Sequence, residues 1–311
     1  MKKVIALLAV LMSVNGLFAQ DPAFSQTYAN PLYLNPAYAG TGTTQRIGLN
    51  FRYEWPNIPG QFITYNASYD RNIIDSTYGV GLLANRDVSG QATLTTDNVS
   101  LIFSKQFRIH SFTLSVGIQG TYHEKSVDWS KLTMGDEIDA TRGFIYPTSE
   151  TADRNSIGVA DFSAGLLGYG KNYFVGFAMD HITQPDESFV TGNRPLPIKY
   201  IINAGAVIPI GSFTLSPTIL YQKQEDFYQE LVELYLSKWH FTAAIGYRIN
   251  DALIFTLGYQ NTGLRIGYSY DYTTSMLTNA AGGCHEVSLA ILLPYKSAKL
   301  KKVSGINLPL F

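Results

Sequence analysis

Residues 44–55 read TQRIGLNFRYEW, with Gln45, Ile47, Leu49, Phe51, Tyr53 and Trp55 at the odd positions and Arg46, Gly48, Asn50, Arg52 and Glu54 at the even ones. Successive side chains on a strand point to opposite faces, so one face here is apolar while the other holds two arginines and a glutamate. The same split recurs in ITYNASYD, where Ile63, Tyr65, Ala67 and Tyr69 oppose Thr64, Asn66, Ser68 and Asp70. It returns in SFTLSVGIQGTYH (Phe112, Leu114, Val116, Ile118 and Tyr122 against Thr113, Ser115, Gln119 and Thr121) and in GLRIGYSYDY (Leu264, Ile266, Tyr268, Tyr270 and Tyr272 against Arg265, Ser269 and Asp271). A soluble sandwich alternates too, so the pattern alone leaves both classes open.

The ends and the composition separate them. Residues 1–19 open with Lys2 and Lys3, run apolar from Val4 to Val14 and close on Ala19. That is the pattern of a secretory signal cleaved after Ala19, and no cysteine follows the site to carry a lipid anchor. Removing Lys2 and Lys3 leaves 21 basic residues against 24 acidic, too weak a bias for a nucleic-acid partner. The lone Cys284 cannot form a disulfide within its own chain, so the fold holds without covalent staples. Only 15% of residues are charged, against about 25% in typical soluble domains. After the signal no run approaches the roughly 18 consecutive apolar residues of a membrane helix, yet the chain carries 21 Tyr, 17 Phe and 27 Gly. An exported, aromatic, glycine-rich chain without apolar helices is expected to be all-β, an outer-membrane barrel in contact with lipid.

Strands are expected near 45–54, 62–70, 77–86, 93–107, 111–123, 157–169, 172–182, 198–209, 212–222, 228–236, 239–248, 251–260, 263–272 and 285–295, about fourteen in all. Most approach the 9–11 residues a tilted membrane strand needs. Tight connections alternate with long ones (124–156, 183–197 and 273–284), as in barrels with short periplasmic turns and longer outside loops. The connections at 70–77 and 250–251 break the alternation. An even strand number places both termini in the periplasm, and closure leaves no unpaired edge. The lumen of such a barrel exceeds what inward side chains fill in an eight-stranded one, so either something plugs it or it conducts.

The expected domains are the signal (1–19), an N-terminal periplasmic or plug segment (20–44), the barrel (45–295) and a basic periplasmic tail (296–311). Within the second, YANPLYLNPAYAG at 28–40 holds two Asn-Pro steps. Pro31 and Pro36 lack a backbone donor and push Asn30 and Asn35 out of the helical region. The result is a string of turns whose Tyr28, Leu32, Tyr33, Leu34 and Tyr38 need an apolar home. The lumen or its inner rim would supply one, as would a periplasmic partner; a poorly ordered leader is the plain alternative.

DPAFSQTYANPLYLNPAYAG, RIGLNFRYEWP, TYNASYD, GFAMDHITQPD, LPIKYIINAG, LRIGYSYDYTTS and GGCHEVSL follow one another between residue 21 and about 293. In that order they resemble the PorP/SprF family of Bacteroidetes outer-membrane proteins associated with the type IX secretion system. Cys284 stands where the family pattern suggests a serine or threonine, and the NLPLF ending resembles the family tail only loosely, which leaves a role for the tail unsupported. The resemblance implies a barrel that helps export large proteins such as gliding adhesins or hold them at the surface. It also implies partners at the periplasmic ring of that machine or among its cargo.

Catalysis has one candidate constellation, the seam cluster Asp271, His285 and Glu286, which could orient a water or pin the ladder by hydrogen bonds. No Ser stands in a nucleophile-elbow setting. In the loop 129–144, Asp136, Glu137 and Asp139 could hold calcium but lack EF-hand spacing, and a solvated acidic loop is the simpler reading. No cofactor is implied. Lys296, Lys299, Lys301 and Lys302 could meet headgroups or an acidic partner. Against a non-enzymatic secretion accessory stands a diffusion or ligand-uptake channel, suggested by the inward Arg46, Arg52, Asn66, Gln119 and Arg265.

Overall fold

The computed structural model describes residues 21–58, 60–73, 77–132, 137–139, 143–144, 154–189, 195–275 and 282–295. The signal segment, Asp136, the side chain of Asp139 and the basic tail lie outside the described residues. Fourteen strands form the wall: β1 (Gln45–Glu54), β2 (Phe62–Ile73), β3 (Tyr78–Ser89), β4 (Leu94–Ile109), β5 (Phe112–Val127), β6 (Ser156–Tyr169), β7 (Tyr173–Asp180), β8 (Lys199–Ala206), β9 (Phe213–Gln224), β10 (Phe227–Lys238), β11 (Phe241–Arg248), β12 (Ala252–Gln260), β13 (Leu264–Thr273) and β14 (Cys284–Leu293). Ile208–Ile210 continues the pairing with β9 beyond Val207. A two-residue hairpin, Ile138–Asp139 with Gly143–Phe144, stands apart between β5 and β6.

Every neighbouring pair is antiparallel, and the ring closes where β1 meets β14, from Gln45 opposite Leu293 to Glu54 opposite Cys284. Closure matters physically because hydrocarbon offers no partner to a free strand edge. The side chains alternate as the sequence requires. On β1, Asn50 and Arg52 are buried while Leu49 is exposed; on β5, Ser115 and Gly117 are buried while Ile118 is exposed. Exposed Leu101, Phe103, Val175, Phe177, Phe255 and Leu257 give the outer surface its apolar belt, as a lipid-facing wall demands. Lys105 lies over the rings of Tyr78 and Phe107, and Lys238 over Phe213 and Trp239, an aromatic and basic fringe at one end.

That end carries the short turns, none longer than four residues; the other carries the long connections 128–155, 181–198 and 274–283. The irregular stretch at 70–77 resolves because β2 runs on to Ile73, whereas 225–226 and 249–251 are short connections at the long-loop end. Both termini are expected at the periplasmic end. The described ends of the chain lie at opposite ends of the barrel: the Tyr295 hydroxyl accepts from Asn72 N–H at the short-turn end, while Asp21 meets His181, Lys199 and Gln224 at the long-loop end. Strand parity fixes where β1 and β14 begin and end but not where the residues before β1 run, and these climb the inside of the wall.

Candidate functional site

The Asn-Pro steps set the local shape of the segment inside the ring. Pro31 opens a single helical turn, Pro31–Leu34, where its missing donor costs nothing. Asn35 is extended (φ −165°), as a residue before proline prefers. It stops that turn and caps the next one, Pro36–Tyr38, by accepting from Ala37 N–H at 2.8 Å.

From Tyr28 to Thr41 the segment is held by packing and close backbone approach. Tyr28 meets Tyr235 and Phe174 edge to face at 5.0 and 6.0 Å, and its hydroxyl bonds Thr218. Leu34 is buried in a cluster with Ala178, Ile201, Leu220, Leu231 and Ile254, one inward residue from each of β7, β8, β9, β10 and β12. Asn35 donates to the carbonyls of Leu166 and Phe177, and the Tyr38 hydroxyl accepts from Asn203 at 2.6 Å. Ser115 and Ser104 donate to Ala37 and Ala39 carbonyls at 2.7 Å each. Two strand glycines make room for this contact: a Cβ on Gly117 would stand 2.4 Å from Ala37 N, and one on Gly79 would stand 2.0 Å from Ala39 O. No other residue type permits that approach.

From Asp21 to Thr27 the attachment is polar. Ser25 N–H and Gln26 N–H donate to the two oxygens of Glu286 at 2.7 and 3.1 Å. The Ser25 hydroxyl donates to Asp271 at 2.6 Å and accepts from Arg52 and Arg248 at 2.7 and 2.6 Å. Arg52 also pairs with Asp271 (2.9 Å) and Glu286 (3.2 Å), and Arg248 with Asp271 (3.0 Å). Thr27 donates to Glu233. Charges this deep are tolerable only when paired and hydrogen-bonded, and the leader supplies part of that pairing. At the start of the segment His181 stands between Asp161 (2.7 Å) and Asp21 (2.9 Å), with Lys199 3.4 Å from Asp21. Burial opposes the charged imidazolium, but the two carboxylates outweigh it and hold the His181 pKa up to about 10. Burial likewise pushes Asp21 upward, and His181 and Lys199 override it to hold that carboxyl well below the usual range.

A different wall faces the segment across β1–β4. Asn50, Asn66, Asn85 and Asn98 stand opposite one another on four adjacent strands. The first three are buried, and neither amide atom of any of those three side chains has a hydrogen-bond partner in the protein; the same holds for Asn30 of the segment. Beside this row, at the long-loop end, lies a cavity of about 730 Å³ bordered by Asp21, Pro22 and Tyr33 of the segment and by inward residues of β2–β5.

This ring, with a buried leader built from paired Asn-Pro turns, has a matching family. Residues 17–291 fit the family described as type IX secretion system membrane protein PorP/SprF. The chain belongs to the PorP/SprF family. No curated protein matches it. Among solved structures this PorP/SprF chain is similar to the CymD monoaromatic hydrocarbon channel, at 10% identity and a TM-score of 0.48 over 89% of this chain and 95% of that one. It is similar to a Pseudomonas aeruginosa FadL homologue at 14% and 0.44, over 91% and 96%. The Acinetobacter baumannii outer membrane protein Omp33 follows at 10% and 0.43, over 81% and 98%.

The structure brings Tyr28, Asn30, Pro31, Tyr33, Asn35, Pro36 and Tyr38 together inside the PorP/SprF ring. Tyr33 is half-buried, its hydroxyl donating to Pro22 O at 2.5 Å and its ring packing edge to face on Phe24. The seam cluster is divided. Asp271 and Glu286 face inward at 0% exposure, while His285 sits on the outer face with its Nδ1 2.8 Å from the Tyr268 hydroxyl. Adjacent residues of a strand cannot share a face, so the imidazole and the carboxylates are on opposite sides of the wall. Sequence reasoning missed Ser25, Gln26 and Arg248. The polar start of the leader was the only hint, and nothing in it names a partner more than 200 residues away.

Proposed function

We propose that this PorP/SprF chain is a non-enzymatic outer-membrane component of type IX secretion whose lumen is plugged by its own residues 21–41. Export or surface attachment of large cargo, such as gliding adhesins, then uses the rims and loops as docking surfaces for the periplasmic ring and the cargo. The observation that carries this reading is the pairing of Ser25 and Gln26 with the inward carboxylates Asp271 and Glu286. A leader that completes a buried charge network is a fixed part of the barrel rather than a passing tether. In this orientation the short turns and Tyr295 face the periplasm and the long loops face outward.

Deleting the gene is expected to leave surface adhesins inside the cell or shed into the medium; normal display of every adhesin sinks the secretion reading. A second reading, a diffusion or uptake channel, is favoured by the cavity left beside the segment. Planar-bilayer recordings separate the two. The intact protein is expected to be silent, and a variant lacking residues 21–41 to conduct; steady conductance by the intact protein supports the channel.

A further inference from the structure

We infer that the cavity at the long-loop end is a binding site for a short neutral saccharide. It is a property of the cavity wall and stands or falls independently of the secretion role. The wall is ordered in rows by strand register: Thr64, Asp87 and Thr96 lie side by side on β2, β3 and β4, and Asn66, Asn85 and Asn98 form the next row. Asp87 accepts from the hydroxyls of Thr64 (2.7 Å) and Ser89 (3.1 Å) and has no ion-pair partner among the described residues. A carboxylate oxygen has room for more than one donor, so acceptor capacity remains. Asn85 borders the cavity at 5% exposure with neither amide atom bonded, and the Asn98 carbonyl oxygen is likewise unpartnered. Phe62 lies on the same cavity with Trp55 edge to face against it at 5.6 Å.

The chemistry of this wall selects its occupant. A sugar hydroxyl both donates and accepts, so it suits an acceptor-only carboxylate beside amides that offer both functions. The C–H face of a pyranose meets the aromatic pair at the rim. An apolar ligand would leave the buried amides unsatisfied, at a cost for each. Arg52, Lys125, His181, Lys199 and Arg248 also border the cavity, but each is already paired with a carboxylate, so an anion would meet Asp87 without a free cation among the described residues to offset it. An extended peptide binds a sheet best through a free edge, and this ring has none. About 730 Å³ also lies inside the range of small-molecule pockets, roughly 300–1,000 Å³.

The test is calorimetric titration of the full-length protein in lauryldimethylamine oxide, a detergent without a sugar headgroup, with maltotriose, cellotriose and mannotriose. At least one is expected to bind saturably. Asp87→Asn and Asn85→Ala are each expected to weaken it about tenfold or more, while Trp239→Phe, remote from the cavity, leaves it unchanged. Asn85→Ala removes an amide without a partner and so keeps the fold, which heat-modifiable migration in gels verifies. Binding of none of the three, binding indifferent to both cavity substitutions, or binding only of an uncharged serine-rich hexapeptide overturns the inference.

Discussion

The two halves of the leader are secured in opposite ways. Residues 28–41 sit in a steric seat of aromatic edges, strand glycines and serine hydroxyls. Residues 21–27 sit in a network of arginines and carboxylates. The first half depends on shape and tolerates no added volume; the second depends on charge balance, so losing one member strands the rest. The same segment therefore answers to two kinds of perturbation, and each can be applied separately.

The largest effect is expected from Arg52→Ala, which leaves Glu286 without its cation and Asp271 with Arg248 alone. Removing one partner from a buried ionic group costs about 3–5 kcal/mol, readable as a lowered urea midpoint in detergent. A shift under a tenth of that would mean the polar half holds nothing. Gly117→Val attacks the other half: overpacking costs about 1–3 kcal/mol and is expected to open residues 35–39 to protease, while Arg52 keeps its partners. Tyr38→Phe is milder, roughly 1 kcal/mol for the hydrogen bond lost by Asn203, again by urea midpoint.

The smallest effect is one of pH, confined to the start of the segment. His181 is raised from its ordinary 6.5 to about 10, so its contribution is fully present below 6.5 and is lost as pH rises through about 10. Asp21 is depressed, so its contribution is present above the ordinary carboxylate range and survives mild acid. Thiol labelling of Ala23→Cys in a Cys284→Ser background, divided at each pH by the rate of a free thiol to remove the thiolate fraction, is expected to stay slow from pH 4 to 8 and to quicken near pH 10. Quickening at pH 5 instead would break the assignment of His181 as the holding cation.

The wall was legible because lipid imposes one rule on every strand. With Leu49, Tyr65, Ile118 and Tyr268 all forced outward, a period of two survives the whole length, and all fourteen strands stand within a few residues of where alternation puts them. The interior obeys no such rule. Asn50, Asn66, Asn85 and Asn98 look like separate polar residues until register aligns them. Arg248 reads as the polar end of a strand until Ser25 arrives from the far end of the chain. The grouping of His285 with Glu286 is the instructive miss, since strand parity already forbade it.

The seam between β1 and β14 has a consequence for biogenesis. Glu286 and Ser288, which bind Gln26 and Ser25, belong to the last strand of the wall. Until that strand docks, the leader has no complete socket, and until the leader is in place the Glu286 carboxylate is short of donors. Sealing the cylinder and loading its interior are thus coupled steps of assembly, joining residues 260 or more positions apart in the sequence.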